Sequence, residues 1–181
     1  MEVSKNKPLI SLSADWYTEN KFLEKEINQI FLKSWLLIGP ESQISNPGDC
    51  LFQSIVDQPI VCTRQENGSI KTFFNICRHR AGSFEDKKSK NHYLVCKYHG
   101  WTYSINGELK SPRGFNKSEI ELKELCLKKI NTKIWKGLIF INFCDNPKNF
   151  GTTFNSVEKI LAHYKLENFV FERRVSYSVK S

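Results

Sequence analysis

The sequence has no long hydrophobic run and no recognisable export signal. No uninterrupted apolar stretch approaches the ~18 residues that a membrane-spanning helix requires. The stretch MEVSKNKPLISLSADW interrupts its apolar residues with serine, aspartate and lysine too early for the core of a signal peptide. We therefore expect a cytoplasmic protein that makes no membrane contact.

Internal repeats and low-complexity tracts are also missing. The 181 residues are 40% hydrophobic and 13% aromatic, which is the composition of an ordinary globular protein. This composition excludes disordered and fibrous classes, and the length predicts one domain with its own hydrophobic core and little more.

The charge is strongly positive, but it does not indicate nucleic-acid binding. The formal net charge is +8, and the segment from Lys71 to Phe115 holds nine Lys or Arg residues against three Asp or Glu. This segment lacks the aromatic stripe, interleaved with base-reading polar residues, that single-strand binders use. A basic rim that steers an acidic protein partner explains the excess. Lys87, Lys88 and Lys90 fit a solvated loop equally well.

Four of the six cysteines stand alone in the sequence, namely Cys50, Cys62, Cys126 and Cys144. Because cytosolic thiols stay reduced, clustered cysteines there indicate metal binding or catalysis rather than disulfides. The four isolated cysteines occur in stretches such as PIVCTR and IFINFCD. We predict that they are small core residues in strands.

The hydrophobic pattern predicts a mostly β protein with a helix near each end. TENKFLEKEINQIFLKSW (18–35) carries one apolar stripe at helical spacing, with Thr18 as a candidate cap, and SVEKILAHYKL (156–166) carries another. Between them, strands are predicted at 35–39, 59–64, 69–75, 101–105, 108–110, 127–134 and 137–143. Asn67-Gly68 and Asn106-Gly107 predict tight hairpin turns.

The pattern also predicts three regions along the chain. Residues 1–35 form a helical N-terminal extension, 36–144 form the β domain, and 145–181 form a short helix and a strand. The final stretch FVFERRVSYSVKS alternates like a strand, with Val175, Tyr177 and Val179 on one side. Because a lone strand needs a partner, this segment either joins the sheet or belongs to a second domain.

Two cysteine–histidine pairs form the candidate functional site. Cys77 and His79 are separated by one residue, and Cys96 and His99 are separated by two. Each pair is predicted at the tip of a hairpin, so the two loops can approach one another. Two thiolates and two neutral imidazoles suit either zinc or an iron–sulfur cluster with mixed ligands.

The spacing favours two metal ions over one, with zinc remaining the alternative. In structural zinc sites the first two ligands are usually separated by two to four residues. The single residue between Cys77 and His79 makes it awkward for both to bind one tetrahedral ion. The spacing is natural if the cysteines bind one iron and the histidines bind the other.

The motifs resemble those of Rieske [2Fe-2S] proteins, whose boxes read Cys-x-His and Cys-x-x-His. NICRHRAG and CKYHGWTYSINGEL look most like the α subunit of Rieske non-haem iron oxygenases, the ring-hydroxylating family. SWLLIGPESQISNPGD and IWKGLIFINF extend this resemblance over almost the whole chain. It implies an antiparallel β-sandwich of the Rieske type with two cluster-binding hairpin loops.

The resemblance also implies a cofactor, partners and site residues. The cofactor is a [2Fe-2S] cluster bound by Cys77, His79, Cys96 and His99. Five further residues are expected around it: Arg80, Gly82, Tyr98, Gly100 and Trp101. The expected electron donor is a ferredoxin or a flavin/iron–sulfur reductase. The expected acceptor is a catalytic oxygenase domain in cis or in trans, and α subunits of this kind form homo-oligomers.

Two features depart from relatives of this kind. The extra cysteine pair of respiratory Rieske proteins is missing, because Gly82 and Tyr98 stand at or near those places. The mononuclear iron of the oxygenases needs two histidines and a carboxylate, yet only His163 follows His99. We therefore expect an electron-transfer region without the catalytic iron triad, and whether the chain is itself an enzyme stays open. A stand-alone ferredoxin-like carrier and a zinc-stabilised interaction module are the alternatives.

Overall fold

A computed structural model describes residues 11–84, 92–116 and 121–179. Lys87, Lys88 and Lys90, for which a solvated loop is one expectation, lie outside these ranges. Within them, no helix is both long and apolar enough to cross a membrane.

The described residues form a mostly β structure, as predicted. The strands are β1 Leu36–Pro40, β2 Cys50–Ile55, β3 Gln58–Arg64, β4 Ile70–Phe74, β5 Tyr93–Val95, β6 Thr102–Ser104, β7 Leu109–Ser111, β8 Lys129–Trp135 and β9 Leu138–Asn142. They pair antiparallel in a six-stranded sheet of order β1-β9-β8-β4-β3-β2 and a three-stranded sheet of order β5-β6-β7.

The six-stranded sheet curls so that both of its faces bury apolar side chains. One core lies between the two sheets and contains Val61 and Phe73 from the large sheet with Tyr103 from the small one. The alternate residues of β3 point into a second core with β1, β8 and β9. The side-chain amide of Gln53 on β2 donates to the carbonyl of Ile38 on β1 at 2.9 Å. This bond joins the two edge strands, so the predicted β-sandwich is present in a form close to a barrel.

Both predicted Asn-Gly hairpins are present. Gly68 (φ 79°) turns β3 into β4, and Gly107 (φ 84°) turns β6 into β7. The turn prediction is therefore correct from adjacent residues alone. Strands β2 and β5 lie outside the predicted strands, and β5 is three residues long.

The two predicted helices exist with different bounds. The N-terminal one is split into α1 Asp15–Thr18 and α2 Asn20–Gln29. Thr18 does not cap α2, because its hydroxyl donates to the carbonyl of Ala14. Helix α3 spans Phe150–Leu161 and begins six residues before the predicted start, where Asn149 Oδ1 accepts the N–H of Gly151 at 2.8 Å.

The described part of the C-terminal segment does not join either sheet as a strand, so of the two alternatives only membership of a second domain stays a prediction. Residues 169–179 have no regular secondary structure, and Tyr177 and Val179 are more than four-fifths exposed. The N–H of Phe171 donates to the Ser42 hydroxyl at 2.8 Å, which joins this segment to the residues that follow β1. An alternating pattern makes a strand only where an edge is available for pairing.

The prediction for the isolated cysteines is correct for two of them. Cys50 and Cys62 are buried in β2 and β3, and burial raises the pKa of each thiol to about 12. Cys126 and Cys144 are only partly buried and lie outside the strands.

Candidate metal centre

Two loops at one end of the sheets carry the four predicted ligands. The first follows β4 and runs from Cys77 to Gly82, and the second joins β5 to β6 and runs from Cys96 to Trp101. In each loop the cysteine N–H donates to the carbonyl five residues later at 2.8 Å, and the cysteine carbonyl accepts the N–H four residues later at 3.0 Å. The two loops therefore have the same backbone hydrogen-bond pattern, although their sequences share little.

The fourth residue after each cysteine has a left-handed backbone. Gly100 has φ 73° in the second loop, and Ala81 has φ 54° at the same position of the first. Glycine adopts this region freely, whereas a residue with a Cβ pays a cost there of about 1–2 kcal/mol. The first loop therefore holds a strained residue beside the candidate ligands.

We expect Ala81→Gly to stabilise the protein by about 1 kcal/mol, because it removes this strain at an exposed side chain. The measurement is the denaturant midpoint of the cluster-loaded chain. The control is Ala162→Gly, since Ala162 is exposed with φ −55°. There glycine adds only chain entropy and lowers stability. If both variants lose stability equally, Ala81 is not strained.

The two loops are joined by backbone contacts. Phe84 forms an isolated β-bridge with Cys96, and the N–H of Lys97 donates to the carbonyl of Ser83 at 3.0 Å. The side chain of Asn75 accepts the N–H of Phe84 at 2.9 Å. These bonds place the two predicted pairs side by side although their sequence positions are far apart.

The two site thiols are buried and adjacent. Cys77 and Cys96 are 2% and 3% exposed. Burial raises the pKa of the Cys77 thiol, and the neighbouring Cys96 raises it further. The backbone N–H of His79 and the hydroxyl of Tyr103 bond to the Cys77 sulfur and act in the opposite direction. A cation between these thiols would deprotonate them, and the hydrogen-bond donors would stabilise the resulting thiolates.

The two imidazoles lie together on the outer side of the thiols. The ring centroids of His79 and His99 are 4.8 Å apart. His79 Nδ1 is buried without a hydrogen-bond partner, and Ser104 Oγ is the other such side-chain atom in the described ranges. An unpartnered buried polar atom costs about 1–3 kcal/mol, which a bond to a metal would offset. Burial, followed by the charges of His99 and Arg80, lowers the pKa of His79, which favours the neutral form that binds metals.

The four side chains are arranged as two pairs, one of thiols and one of imidazoles. In the part of the chain that the structure describes, no three His, Cys, Asp or Glu side chains converge on a point as a single-ion cage requires. His92 pairs with Glu66 at 2.6 Å, and His163 is exposed beside Tyr164, so both are surface residues away from the two pairs.

Aromatic rings enclose the imidazoles. Trp101 is 3% exposed and stacks on His79 with centroids 4.6 Å apart, and its indole N–H donates to the carbonyl of Arg113. Tyr98 stacks on His99 at 3.8 Å but is 62% exposed. Trp101 therefore shields one imidazole from water, while Tyr98 lies over the other at the surface.

The three other residues predicted around the cluster, Gly82, Gly100 and Arg80, make different contacts. A Cβ on Gly82 would lie 2.9 Å from the Cys96 sulfur, so the backbone of the first loop passes close to this thiol. The N–H of Gly100 donates to the carbonyl of Cys96 at 3.0 Å. Arg80 is exposed next to His79.

Sequence reasoning missed the role of Tyr103. Its hydroxyl accepts the backbone N–H of Arg78 at 3.2 Å and lies 3.6 Å from the Cys77 sulfur. The ring is fully buried in the core between the sheets. The alternation of WTYSI shows that Tyr103 faces inward, but only the paired loops show that its hydroxyl reaches Cys77.

Comparison with known proteins gives a consistent result. Residues 34–124 match the model of the Rieske [2Fe-2S] domain. The chain is 32% identical over 159 residues to the glycine betaine monooxygenase oxygenase subunit of Pseudomonas aeruginosa, covering 87% of this chain and 37% of that protein. It is 33% identical over 150 residues to the benzene 1,2-dioxygenase subunit alpha of Pseudomonas putida, covering 81% and 33%. The chain thus spans about a third of the length of these relatives.

Solved structures share the fold. The quaternary ammonium Rieske monooxygenase CntA in complex with L-carnitine superposes with a TM-score of 0.78 at 22% identity, over 84% of this chain and 45% of that one. Naphthalene 1,2-dioxygenase with indole in its active site gives a TM-score of 0.71 at 28% identity, over 78% and 33%. The chain belongs to the Rieske [2Fe-2S] domain family in the form found in the N-terminal region of Rieske oxygenase α subunits, and its cofactor is a [2Fe-2S] cluster.

Proposed function

We propose that this chain transfers single electrons through a [2Fe-2S] cluster bound by Cys77, Cys96, His79 and His99. The observation that supports this assignment most is the convergence of two like-folded loops on two buried thiols and two paired imidazoles, one with an unpartnered nitrogen. The thiols would hold the inner iron and the imidazoles the outer one, which agrees with the unequal spacing of the two boxes.

The protein's own residues set the environment of the cluster. When bound, the cluster accepts and releases one electron, with a potential of about −150 to +300 mV for mixed ligands against about −400 mV for plant-type ferredoxins. The Tyr103 hydroxyl and the His79 N–H stabilise negative charge on the Cys77 sulfur. Trp101 stacks on His79, Phe84 lies in the core that holds both thiols, and both rings are nearly fully buried and exclude water from the site.

We infer the electron donor and the electron acceptor from the relatives, and both are part of this proposal. The electron would come from a ferredoxin or a flavin/iron–sulfur reductase. It would pass to a mononuclear iron in a catalytic oxygenase domain, in cis or in trans, within a homo-oligomer. The relatives named above are oxygenase subunits about three times as long as the matched region, so the oxygenase activity is proposed for the whole protein. The domain boundaries at 36 and 144 are part of this proposal.

Metal analysis and EPR spectroscopy test the proposal. We expect two irons and two acid-labile sulfides per chain and an EPR signal that appears on reduction with dithionite. Cys96→Ala and His99→Ala should lose the signal and the visible colour. The matched controls Cys126→Ala and His163→Ala alter residues outside the site and should keep both. One colourless zinc per chain would overturn the proposal in favour of a zinc-stabilised module.

A further inference from the structure

The His79 imidazole packs against two aromatic side chains from other parts of the chain. Trp101 lies parallel to it, with ring centroids 4.6 Å apart and an angle of 7° between the planes. Phe115 meets it at a steep angle of 82°, with centroids 5.5 Å apart. The two aromatic rings also contact each other, at 5.7 Å and 88°. We call Trp101 and Phe115 the aromatic brace, because rings packed this closely leave the imidazole little room to rotate.

The Trp101 side chain is itself held in one orientation. It is 3% exposed and belongs to the core that contains both site thiols. Its backbone carbonyl accepts the N–H of Cys96 at 2.8 Å, and its indole N–H donates to the carbonyl of Arg113 at 3.3 Å. The indole is therefore fixed both at its backbone and at the far end of its ring, so the face that it presents to His79 is fixed as well.

One turn after β7 carries both the partner of the indole and the second ring of the brace. The N–H of Phe115 donates to the carbonyl of Pro112 at 3.0 Å, and Gly114 between them has φ 89°. A positive φ at the third of four residues is typical of a type II turn. This turn places the Arg113 carbonyl on the indole N–H and the Phe115 ring on His79. The two halves of the brace are therefore held by the same four residues.

The ring that stacks on the other imidazole is more exposed. His99 has its sequence neighbour Tyr98 on one face, and Tyr98 is 62% exposed. Exposed side chains change rotamer within nanoseconds. His79 Nδ1, in contrast, is buried and has no hydrogen-bond partner among the residues that the structure describes. No hydrogen bond fixes this edge of the His79 ring, so its orientation depends on the rings packed against it.

We propose that Trp101 is a positioning residue that, together with Phe115, fixes the plane of the His79 imidazole for metal binding. The inference rests on the proposed function, in which His79 is a ligand, and adds the residues that set the orientation of this ligand. Without the brace the imidazole would adopt several orientations although no ligand is lost. Groups that orient a ligand also tune the metal centre, so a spread of ring orientations becomes a spread in the surroundings of the unpaired electron.

EPR spectroscopy of the cluster-loaded full chain after reduction with dithionite tests the proposal. Trp101→Leu removes the stacked ring and the N–H donor, whereas Trp101→Phe keeps a ring and lacks the donor. We expect Trp101→Leu to shift the g values and broaden the lines, and Trp101→Phe to do so less. A chelator should remove iron from Trp101→Leu about tenfold faster than from the unmodified chain. Phe115→Leu, at a position that is 48% exposed, should broaden the lines with little loss of stability.

Trp135→Leu is the matched control, because Trp135 packs against Phe140 and Phe154 instead of the imidazoles. It should lower the free energy of unfolding and leave the g values and line widths unchanged. A purely structural role for Trp101 predicts the same result for Trp101→Leu.

The proposal is overturned if Trp101→Leu has the spectrum and the chelation rate of the unmodified chain, or if Trp135→Leu changes the spectrum equally. If Trp101→Leu does not fold or bind the cluster, Phe115→Leu decides, and unchanged line widths in that variant overturn the proposal. Absence of an EPR signal in the unmodified chain would instead refute the proposed function.

Discussion

Replacing Gly82 by alanine should remove most of the cluster from the protein. The added Cβ would lie 2.9 Å from the Cys96 sulfur and 2.9 Å from Tyr98 Cβ, and neither atom belongs to the free end of a flexible side chain. Overpacking of this kind costs up to about 3 kcal/mol, which is roughly a hundredfold in an equilibrium constant. Because the strained atom is a proposed ligand, the cost should fall on cluster binding. Iron content and visible absorbance per chain measure it.

Gly114→Ala is the control for Gly82→Ala. Gly114 lies close to the same site, next to Arg113, and has φ 89° with nothing within 4 Å of the position that a Cβ would take. Alanine there adds backbone strain of about 1–2 kcal/mol but no collision, whereas Gly82 has no left-handed backbone and gains only the collision. Equal cluster content in both variants would show that the first loop can move away from Cys96.

Gly107→Ala should be the most destabilising single change in either hairpin turn. A Cβ at this position would lie 2.5 Å from Cε1 of Phe73, a fully buried ring at the centre of the core between the sheets. The collision and the left-handed backbone (φ 84°) together should cost about 3–4 kcal/mol. This is a large part of the 5–15 kcal/mol that is typical of a folded domain. Denaturant titration of the free energy of unfolding measures the loss.

The other Asn-Gly turn provides a matched control. Gly68 has nearly the same backbone angle, φ 79°, but nothing lies within 4 Å of its Cβ position. Gly68→Ala should therefore cost only the backbone strain, about 1 kcal/mol. The difference between the two variants isolates the contact with Phe73. If both lose the same stability, the β6–β7 turn is not held against the core as the structure shows.

Gly68 and Gly107 also show which features of a turn can be predicted from the sequence and which cannot. Asn67-Gly68 and Asn106-Gly107 are the same dipeptide and predict the same turn, and both turns are present. Only Gly107 is held over Phe73, because its carbonyl accepts the N–H of Leu127 at 2.8 Å and the small sheet packs on the large one. The consequence of a substitution therefore depends on which sheet lies beneath the turn.

The helix and tail predictions differ from the structure for a related reason. The predicted start of α3 is too late: Phe150 and Phe154 continue the apolar stripe of Val157 and Leu161 toward the N-terminus and pack against Phe140 of β9. The tail alternates as a strand should, yet no described strand pairs with it. In both cases the outcome depends on contacts with another element, which the pattern of the segment itself does not show.

The sequence by itself determined the ligand spacing, the hairpin turns and the alternation of most strands. These features depend on residues within a few positions of one another, whose backbone preferences act locally. The tertiary structure alone decided that the Tyr103 hydroxyl reaches the Cys77 sulfur and that Gly82 must lack a side chain beside the Cys96 sulfur. These contacts join segments brought together by the curl of the sheets, and no short stretch of sequence contains both partners.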